Sequence, residues 1–161
     1  MPAATPPPPE ARKRPPAKRP PVTRSLDTLQ PAFRLRLEAV VADLAAQGYR
    51  PRVWETLRTP ERGAWLMKKG ASRNGSKSMH IYGVAADVVC RTHMWGCRKA
   101  RCDFFEKLGS TVRKHGLYWG GDWRTMVDKP HVQAIPVRQQ GKIRSAQDVS
   151  LVLPGLMKAM P

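Results

Sequence analysis

The chain has 161 residues and a formal net charge of +17, with 29 Lys and Arg against 12 Asp and Glu. This length suffices for one domain with one hydrophobic core. No stretch is long and apolar enough to cross a membrane, and the first residues lack the apolar segment of a signal peptide. We therefore expect synthesis in the cytoplasm and a basic surface that attracts polyanions.

Composition divides the chain into three parts. Residues 1–24 contain nine prolines and six Lys or Arg against one acid, Glu10, with no hydrophobic pattern, which predicts a disordered cationic tail. Residues 25–137 are sufficient for one folded domain. Residues 138–161 form a C-terminal extension whose apolar side chains are interrupted by Pro154 and Gly155. The extension could dock on the domain or on a partner, and its pattern leaves both open.

The first predicted elements are two helices separated by a strand. An apolar stripe predicts a helix over 31–46 that ends before Gly48. Residues 52–57 are typical of a strand. Thr59 then caps a helix over 60–70 that has proline at its first position. The stripe of the first helix comprises Phe33, Leu37, Val40, Val41 and Leu44.

The second half of the domain alternates loops, strands and a helix. Residues 71–79 form a flexible polar loop, and the apolar, β-branched run over 84–89 predicts a buried strand. Helical spacing of apolar residues over 102–114 predicts a helix that ends at Gly116. Alternation over 131–135 predicts another strand. Together these elements predict an α+β fold in which helices flank a small antiparallel sheet.

The strand over 84–89 carries a lone acid, Asp87, seven residues after His80. On a helix this spacing would separate the two side chains by a rise of roughly 10.5 Å, too far for two ligands of one metal ion. The segment must therefore fold back, and Gly83 lies where a residue without Cβ permits a turn. A carboxylate inside an apolar strand is costly to bury unless it is paired or bound to a metal.

A second pair of metal-ligating residue types follows about forty positions later. Pro130 forbids a regular helix through Asp128–His131, so His131 begins an extended segment with Asp128 on the preceding loop. His80, Asp87 and His131 can bind Zn²⁺ through two nitrogens and one oxygen, which leaves a fourth position for water. Asp128 would then take the proton from that water.

Alternative interpretations of these four residues explain their spacing less well. Single histidines and aspartates are usually ordinary structural residues, but four at these spacings favour a metal site. Two histidines and one carboxylate also bind Fe(II) in oxygenases, although those enzymes use a close H-x-D/E pair. A metal-free binding module would have no need of a buried aspartate.

A further cluster could hold a second, structural zinc ion. Its candidate ligands are Cys90, His93, Cys97 and Cys102, whose spacing fits no established finger pattern. Three cysteines in a chain without an export signal are also consistent with reduced thiols. A disulfide between two of them is the other alternative.

The motifs resemble those of zinc peptidases that cut peptidoglycan stem peptides. The string S-x-H-x-x-G-x-A-x-D over 78–87 and the string D-x-P-H over 128–131 carry the resemblance. Segments 53–62 and 117–123 are also similar to this group. The resemblance implies the hedgehog/D-Ala-D-Ala peptidase-like fold, in which an antiparallel sheet carries the ligands of one catalytic zinc ion. It also implies that Arg58 and Ser78 bind substrate.

The resemblance also discriminates within the group. Carboxypeptidase members typically have glutamate three residues before the last histidine, whereas this chain has Asp128 and Pro130, as endolysin-type L-Ala-D-Glu endopeptidases do. We therefore expect an endopeptidase that cuts the L-Ala-D-Glu bond of the stem peptide and acts as a phage-type endolysin in host cell lysis. The alternative within the same fold is a D-Ala-D-Ala carboxypeptidase.

The basic surface has candidate partners of its own. In an enzyme that acts on the cell wall after release, it would bind anionic cell-wall or outer-membrane polymers. Nucleic acid is a rival partner from a different functional class, because charge and five tryptophans could form a phosphate-binding surface. No nucleic-acid-binding motif appears, however, and this alternative does not explain the His and Asp pattern.

Overall fold

The computed structural model describes residues 18–97 and 101–158. Within these ranges, four strands form one antiparallel sheet with the order β1-β2-β4-β3. The strands are β1 (Pro51–Glu55), β2 (Ala85–Cys90), β3 (Tyr118–Trp119) and β4 (His131–Gln133). The helices are α1 (Pro31–Ala46), α2 (Pro60–Lys68), α3 (Phe104–Lys114), α4 (Gln140–Arg144) and α5 (Val149–Leu156). The predicted α+β class, with helices around a small antiparallel sheet, is confirmed.

Strand β2 is the centre of the sheet and is buried along its whole length. Its apolar, β-branched side chains explain this burial, since a strand covered on both faces favours such residues. The pairing register places Asp87 opposite Glu55 of β1 on one side and opposite His131 of β4 on the other. Three polar side chains therefore lie in one row across three strands.

Helix α1 covers the sheet with the stripe that its spacing predicts. Its bounds match the prediction, and four apolar residues of the stripe are buried: Phe33, Leu37, Val40 and Leu44. Helix α2 begins at Pro60 after Thr59, whose side chain accepts a hydrogen bond from the Arg62 N–H, as predicted for an N-cap. Helix α3 begins two residues later than expected and ends before Gly116, which has a positive φ of 67°.

The connection between His80 and Asp87 folds back as the spacing requires. Met79–Tyr82 form one turn of 3₁₀ helix, and Gly83 ends it in the left-handed conformation with φ 66°. The loop before it, predicted to be irregular, contains a further 3₁₀ turn over Gly75–Lys77.

The segment before residue 25 is partly folded onto the domain. Residues 1–17 of the predicted disordered tail lie outside the described residues, but Thr23 accepts a hydrogen bond from the Thr56 N–H at 2.8 Å. The carbonyl of Pro20 accepts one from Arg62 at 3.3 Å. The folded part therefore begins earlier than the expected boundary at residue 25.

The C-terminal extension docks on the domain. Ile143 of α4 and Leu153 of α5 are buried in the common hydrophobic core, so their apolar surface is removed from water. Of the two possibilities that the sequence left open, the structure supports docking. No helix in the described part of the chain is long and apolar enough to span a membrane.

We predict that Gly83→Ala lowers the free energy of unfolding more than Gly48→Ala does. Both glycines have positive φ, which costs other residues about 1–2 kcal/mol. A Cβ at Gly83 would also lie 2.8 Å from the Thr28 carbonyl oxygen, whereas nothing lies within 4 Å of one at Gly48. Urea denaturation of both variants measures the difference. Equal losses would show that the packing around Gly83 is looser than described.

Candidate metal centre

The ring of His80 is fixed by its hydrogen bonds. The Ser78 side chain caps the 3₁₀ turn that contains His80 by accepting a hydrogen bond from the His80 N–H. Nδ1 of the ring lies 2.7 Å from the carbonyl oxygen of Thr56. Because a carbonyl can only accept, Nδ1 carries the proton and Nε2 presents its lone pair to the centre of the site. This is the arrangement that metal-bound histidines commonly show.

Three donor atoms from separate parts of the chain converge on one point. Nε2 of His80, Oδ1 of Asp87 and Nδ1 of His131 form a triangle in which each pair is separated by 3.3 Å. All three residues are buried. The two histidines hold the pKa of Asp87 well below its usual range, although burial alone would raise it. Asp87 is therefore a carboxylate in the folded protein.

This triangle has the size that a zinc ion requires. Zinc binds nitrogen and carboxylate oxygen at about 2.0–2.2 Å in a tetrahedron, so neighbouring ligand atoms are separated by about 3.3–3.6 Å. The separations between the three donors fall in this range without movement of any side chain. Two imidazoles and one carboxylate are also a donor set of catalytic zinc sites.

Asp128 lies on the loop before β4. Its N–H donates to the carbonyl of Gly120 at 3.0 Å, and its own carbonyl accepts from the N–H of His131 at 3.1 Å. The side chain is exposed to solvent, yet it lines the same cleft as the triangle. Desolvation by the cleft walls raises its pKa, and the negative charge of Asp87 adds to this effect against the opposing histidines.

Gly120, which was not predicted as a site residue, allows the loop of Asp128 to lie close to the segment after β3. A Cβ at Gly120 would collide with the carbonyl of Asp128 and would lie 3.0 Å from Cβ of His131. Only glycine allows the segment after β3 to approach the metal loop this closely. The Gly120-Gly121 pair was the available signal, since it lies in a segment already noted as similar to the peptidases.

Arg58 and Ser78 lie beside the triangle, and Arg58 belongs to a buried ionic cluster. The Arg58 side chain donates to Glu55 at 2.9 Å and 3.2 Å and to Ser78 Oγ at 3.4 Å. Its guanidinium is 3.7 Å from Asp87 Oδ2. Glu55 also accepts from Arg62 at 2.5 Å. The pairing of Arg58 with Glu55 is therefore a buried ion pair.

The cysteine cluster is not assembled as a four-ligand metal site. The structure joins Cys97 and Cys102 in a disulfide and leaves Cys90 as a buried free thiol. The three sulfur atoms lie within 4.8 Å of one another, but among the described residues His93 is exposed and outside this group. Since disulfide sulfurs are not thiolate ligands, the arrangement corresponds to the disulfide alternative rather than to the structural zinc site.

The triangle opens into a cleft of about 630 Å³. Trp54, Trp95 and Trp123 contribute aromatic walls, and the ring of Trp123 lies 5.0 Å from that of His131. Basic side chains outnumber the three acidic ones, Glu55, Asp87 and Asp128, in the lining of the cleft: Arg19, Arg58, Arg62, Arg73 and Lys77. The cleft thus places a metal-binding triangle in a cationic, aromatic groove suited to an extended, anionic ligand.

Comparison with known proteins agrees with this geometry. Residues 71–134 match the model of a peptidase family described as D-alanyl-D-alanine carboxypeptidase. The L-alanyl-D-glutamate peptidase of Listeria phage A118 is 36% identical over 91 residues, which are 55% of this chain and 31% of the relative. Over these residues the chain is similar to this peptidase family. It spans about a third of the length of the phage relative.

Other peptidases are similar over more of their length. Peptidoglycan L-alanyl-D-glutamate endopeptidase CwlK of Bacillus subtilis is 26% identical over 125 residues, covering 67% of this chain and 74% of that protein. The crystal structure of Serratia marcescens L-Ala D-Glu endopeptidase ChiX has a TM-score of 0.50 and 26% identity, and the match covers 67% of this chain and 81% of that chain. The LdcB LD-carboxypeptidase shares the fold, with a TM-score of 0.51 at 14% identity over 81% and 70% of the two chains.

We predict that Glu55→Gln lowers the free energy of unfolding at pH 7 by about 3–5 kcal/mol, because Arg58 and Arg62 would lose their buried partner. The matched control, Glu106→Gln, removes an exposed pair with Lys129 and should cost much less. Chemical denaturation measures both losses. A similar cost for the two variants would contradict a buried ionic cluster.

The same cluster predicts a pH dependence. Arg58 and Arg62 lower the pKa of Glu55 below its usual range against the opposing effect of burial. The stabilisation is therefore complete above the ordinary glutamate pKa of about 4.3 and is lost as the pH falls through the lower folded-state pKa. The stability difference between the wild type and Glu55→Gln should shrink only below about pH 4. A difference that shrinks near neutral pH would contradict this assignment.

Proposed function

We propose that this protein is a zinc-dependent peptidoglycan hydrolase that cuts the stem peptide at the L-Ala-D-Glu bond. The observation that carries the proposal is the buried triangle of His80, Asp87 and His131 at the base of the cleft. Its 3.3 Å separations match the ligand spacing of tetrahedral zinc. The bond is inferred from the activities for which the phage relative and CwlK are named.

His80, Asp87 and His131 would hold the zinc ion. When bound, zinc supplies Lewis acidity, which lowers the pKa of water to about 7 and polarises a carbonyl. The protein must supply the proton acceptor, and Asp128 lines the same cleft with a raised pKa. A carboxylate with a raised pKa is the stronger base, so we assign to Asp128 the removal of the proton from the attacking water. The same carboxyl group then delivers that proton to the leaving amine.

Arg58 is proposed to orient the substrate. Its guanidinium is held in place by Glu55 and Ser78, so little side-chain entropy is lost when it binds a carbonyl or carboxylate. Ser78 Oγ lies in the same cleft and is proposed as a second hydrogen-bond partner of the substrate. A stem peptide carries free carboxylates, and the cationic edge of the cleft would attract them.

The residues that precede the last ligand, His131, also support this choice of bond. Asp128 and Pro130 correspond to the endopeptidase pattern rather than to the Glu pattern of the carboxypeptidases. We further propose that the enzyme acts on the cell wall after release from the cytoplasm, as an endolysin does in host cell lysis. Its basic surface would hold it near anionic wall or outer-membrane polymers.

Mass spectrometry of purified peptidoglycan after incubation with the zinc-loaded protein tests the bond. We expect new stem-peptide fragments that begin at D-Glu, absent in a parallel digest with His131→Ala. Loss of terminal D-Ala alone would assign the carboxypeptidase activity of the same fold. Unchanged peptidoglycan in the presence of bound zinc would contradict the proposed substrate and favour a polyanion-binding role.

Asp128→Ala should keep zinc but lose turnover by about 10²–10⁴-fold, because the proton acceptor is removed while the three ligands remain. Zinc content measured by plasma mass spectrometry and hydrolysis measured on the same preparation separate the two effects. Asp122→Ala is the matched control, since its carboxylate pairs with Arg113 on the surface. If Asp128→Ala lost the metal, Asp128 would be a ligand and the assigned roles would be wrong.

A further inference from the structure

His131, at the start of β4, has a hydrogen-bond partner on the side of its ring that points away from the triangle. Nε2 of His131 lies 3.1 Å from Oε1 of Gln133, a side chain with no exposed surface. His131 can present Nδ1 as a lone pair toward His80 and Asp87 only if Nε2 carries the proton. The metal-binding form of His131 therefore depends on which end of the Gln133 amide faces it.

The amide orientation of Gln133 is fixed by a group with only one polarity. Its Nε2 donates to the carbonyl oxygen of Ile135 at 2.5 Å, and a carbonyl cannot donate. Reversing the amide would place Oε1 against that carbonyl, with two acceptors facing each other. Oε1 is consequently the end that meets His131, and it must accept the Nε2–H.

A second amide reinforces this orientation from the C-terminal extension. Nε2 of Gln140 donates to Oε1 of Gln133 at 3.2 Å, and Oε1 of Gln140 accepts from Arg144 at 2.8 Å. Arginine can only donate, so the Gln140 amide cannot be reversed either. Arg144 is itself held by the carbonyl of Lys77 at 3.1 Å, in the loop that leads to Ser78.

We infer that Gln133 and Gln140 are positioning residues that fix His131 in the tautomer with Nδ1 free for the metal. The inference rests on the proposed function, since it presumes that His131 is a ligand. It gives the extension over 138–161 a role, because α4 supplies both Gln140 and Arg144. Arg144 on α4 can only donate, and the Ile135 carbonyl after β4 can only accept. The two glutamine amides between them are therefore fixed in orientation, and Gln133 accepts the hydrogen bond from His131.

Zinc affinity, measured by competition with a chelator at pH 7, tests the inference without reference to activity. Gln133→Met keeps the length of the side chain but removes the acceptor, and the zinc dissociation constant should rise about 10–100-fold. Gln140→Met, at a half-buried position on α4, should give a smaller increase. Since Gln140 lies outside the fully buried core, this second variant keeps the test usable if Gln133→Met does not fold.

Gln139→Met is the matched control. It changes the neighbouring glutamine, whose Oε1 has no hydrogen-bond partner among the described residues, so zinc affinity should stay at the wild-type value. Wild-type affinity in both Gln133→Met and Gln140→Met would overturn the inference. An equal loss in all three variants would overturn it as well, because the effect would then be general destabilisation.

The position of the proton gives a readout that a merely structural glutamine would not change. In zinc-loaded protein labelled with ¹⁵N-histidine, NMR should show the His131 proton on Nε2, slowly exchanging in the wild type and rapidly exchanging in Gln133→Met. A proton on Nδ1 would overturn the inference. His131→Ala separates the two proposals, since zinc binding that survives in that variant would overturn the metal site itself.

Discussion

The site depends on one constraint, the burial of Asp87 in the central strand. A carboxylate in an apolar strand requires partners that compensate for the loss of water. The antiparallel register provides one partner directly, because Asp87 lies opposite His131 of β4. On its other side it lies opposite Glu55, which holds the Arg58 guanidinium 3.7 Å from Asp87. The turn ended by Gly83 adds His80, and the three donors then form the triangle that matches tetrahedral zinc.

Hydrogen bonds whose donor and acceptor cannot exchange roles orient the two histidine ligands. The Thr56 carbonyl orients His80, while the Gln133 amide orients His131. Each histidine thereby turns one lone pair inward, so the site is organised before any metal binds. The buried cluster of Glu55 with two arginines supports the opposite wall and holds Arg58 beside the cleft. Arg58 thereby pairs with Glu55 and also lies 3.7 Å from the Asp87 carboxylate.

Local pattern was sufficient to predict most of the fold. Helix α1 and the buried strand β2 have strong periodicity or composition, and the fold-back at Gly83 followed from the spacing of His80 and Asp87. The two-residue β3 was not predicted, because so short a strand is defined by its pairing with β4 and not by its own sequence. The extent of the folded N-terminal segment was also missed, since hydrogen bonds to Thr56 and Arg62 hold it rather than apolar packing.

The candidate site was predictable only in part, for a related reason. The motif residues carry the expected chemistry themselves, so their types and spacing indicated the triangle and Asp128. Gln133 and Arg62 act through contacts that depend on strand register and on helix docking, and neither shows in local spacing. For the cysteine cluster, the residue types were suitable for metal binding but their spacing was not specific. The sequence therefore left both a metal site and a disulfide open.

Anomalous X-ray diffraction at the zinc edge from crystals of the zinc-loaded protein tests the central claim most directly. The account predicts a single strong peak within about 2.0–2.2 Å of His80 Nε2, Asp87 Oδ1 and His131 Nδ1. A peak at the cysteine cluster alone, or one bound through the opposite nitrogen of either histidine, would contradict it.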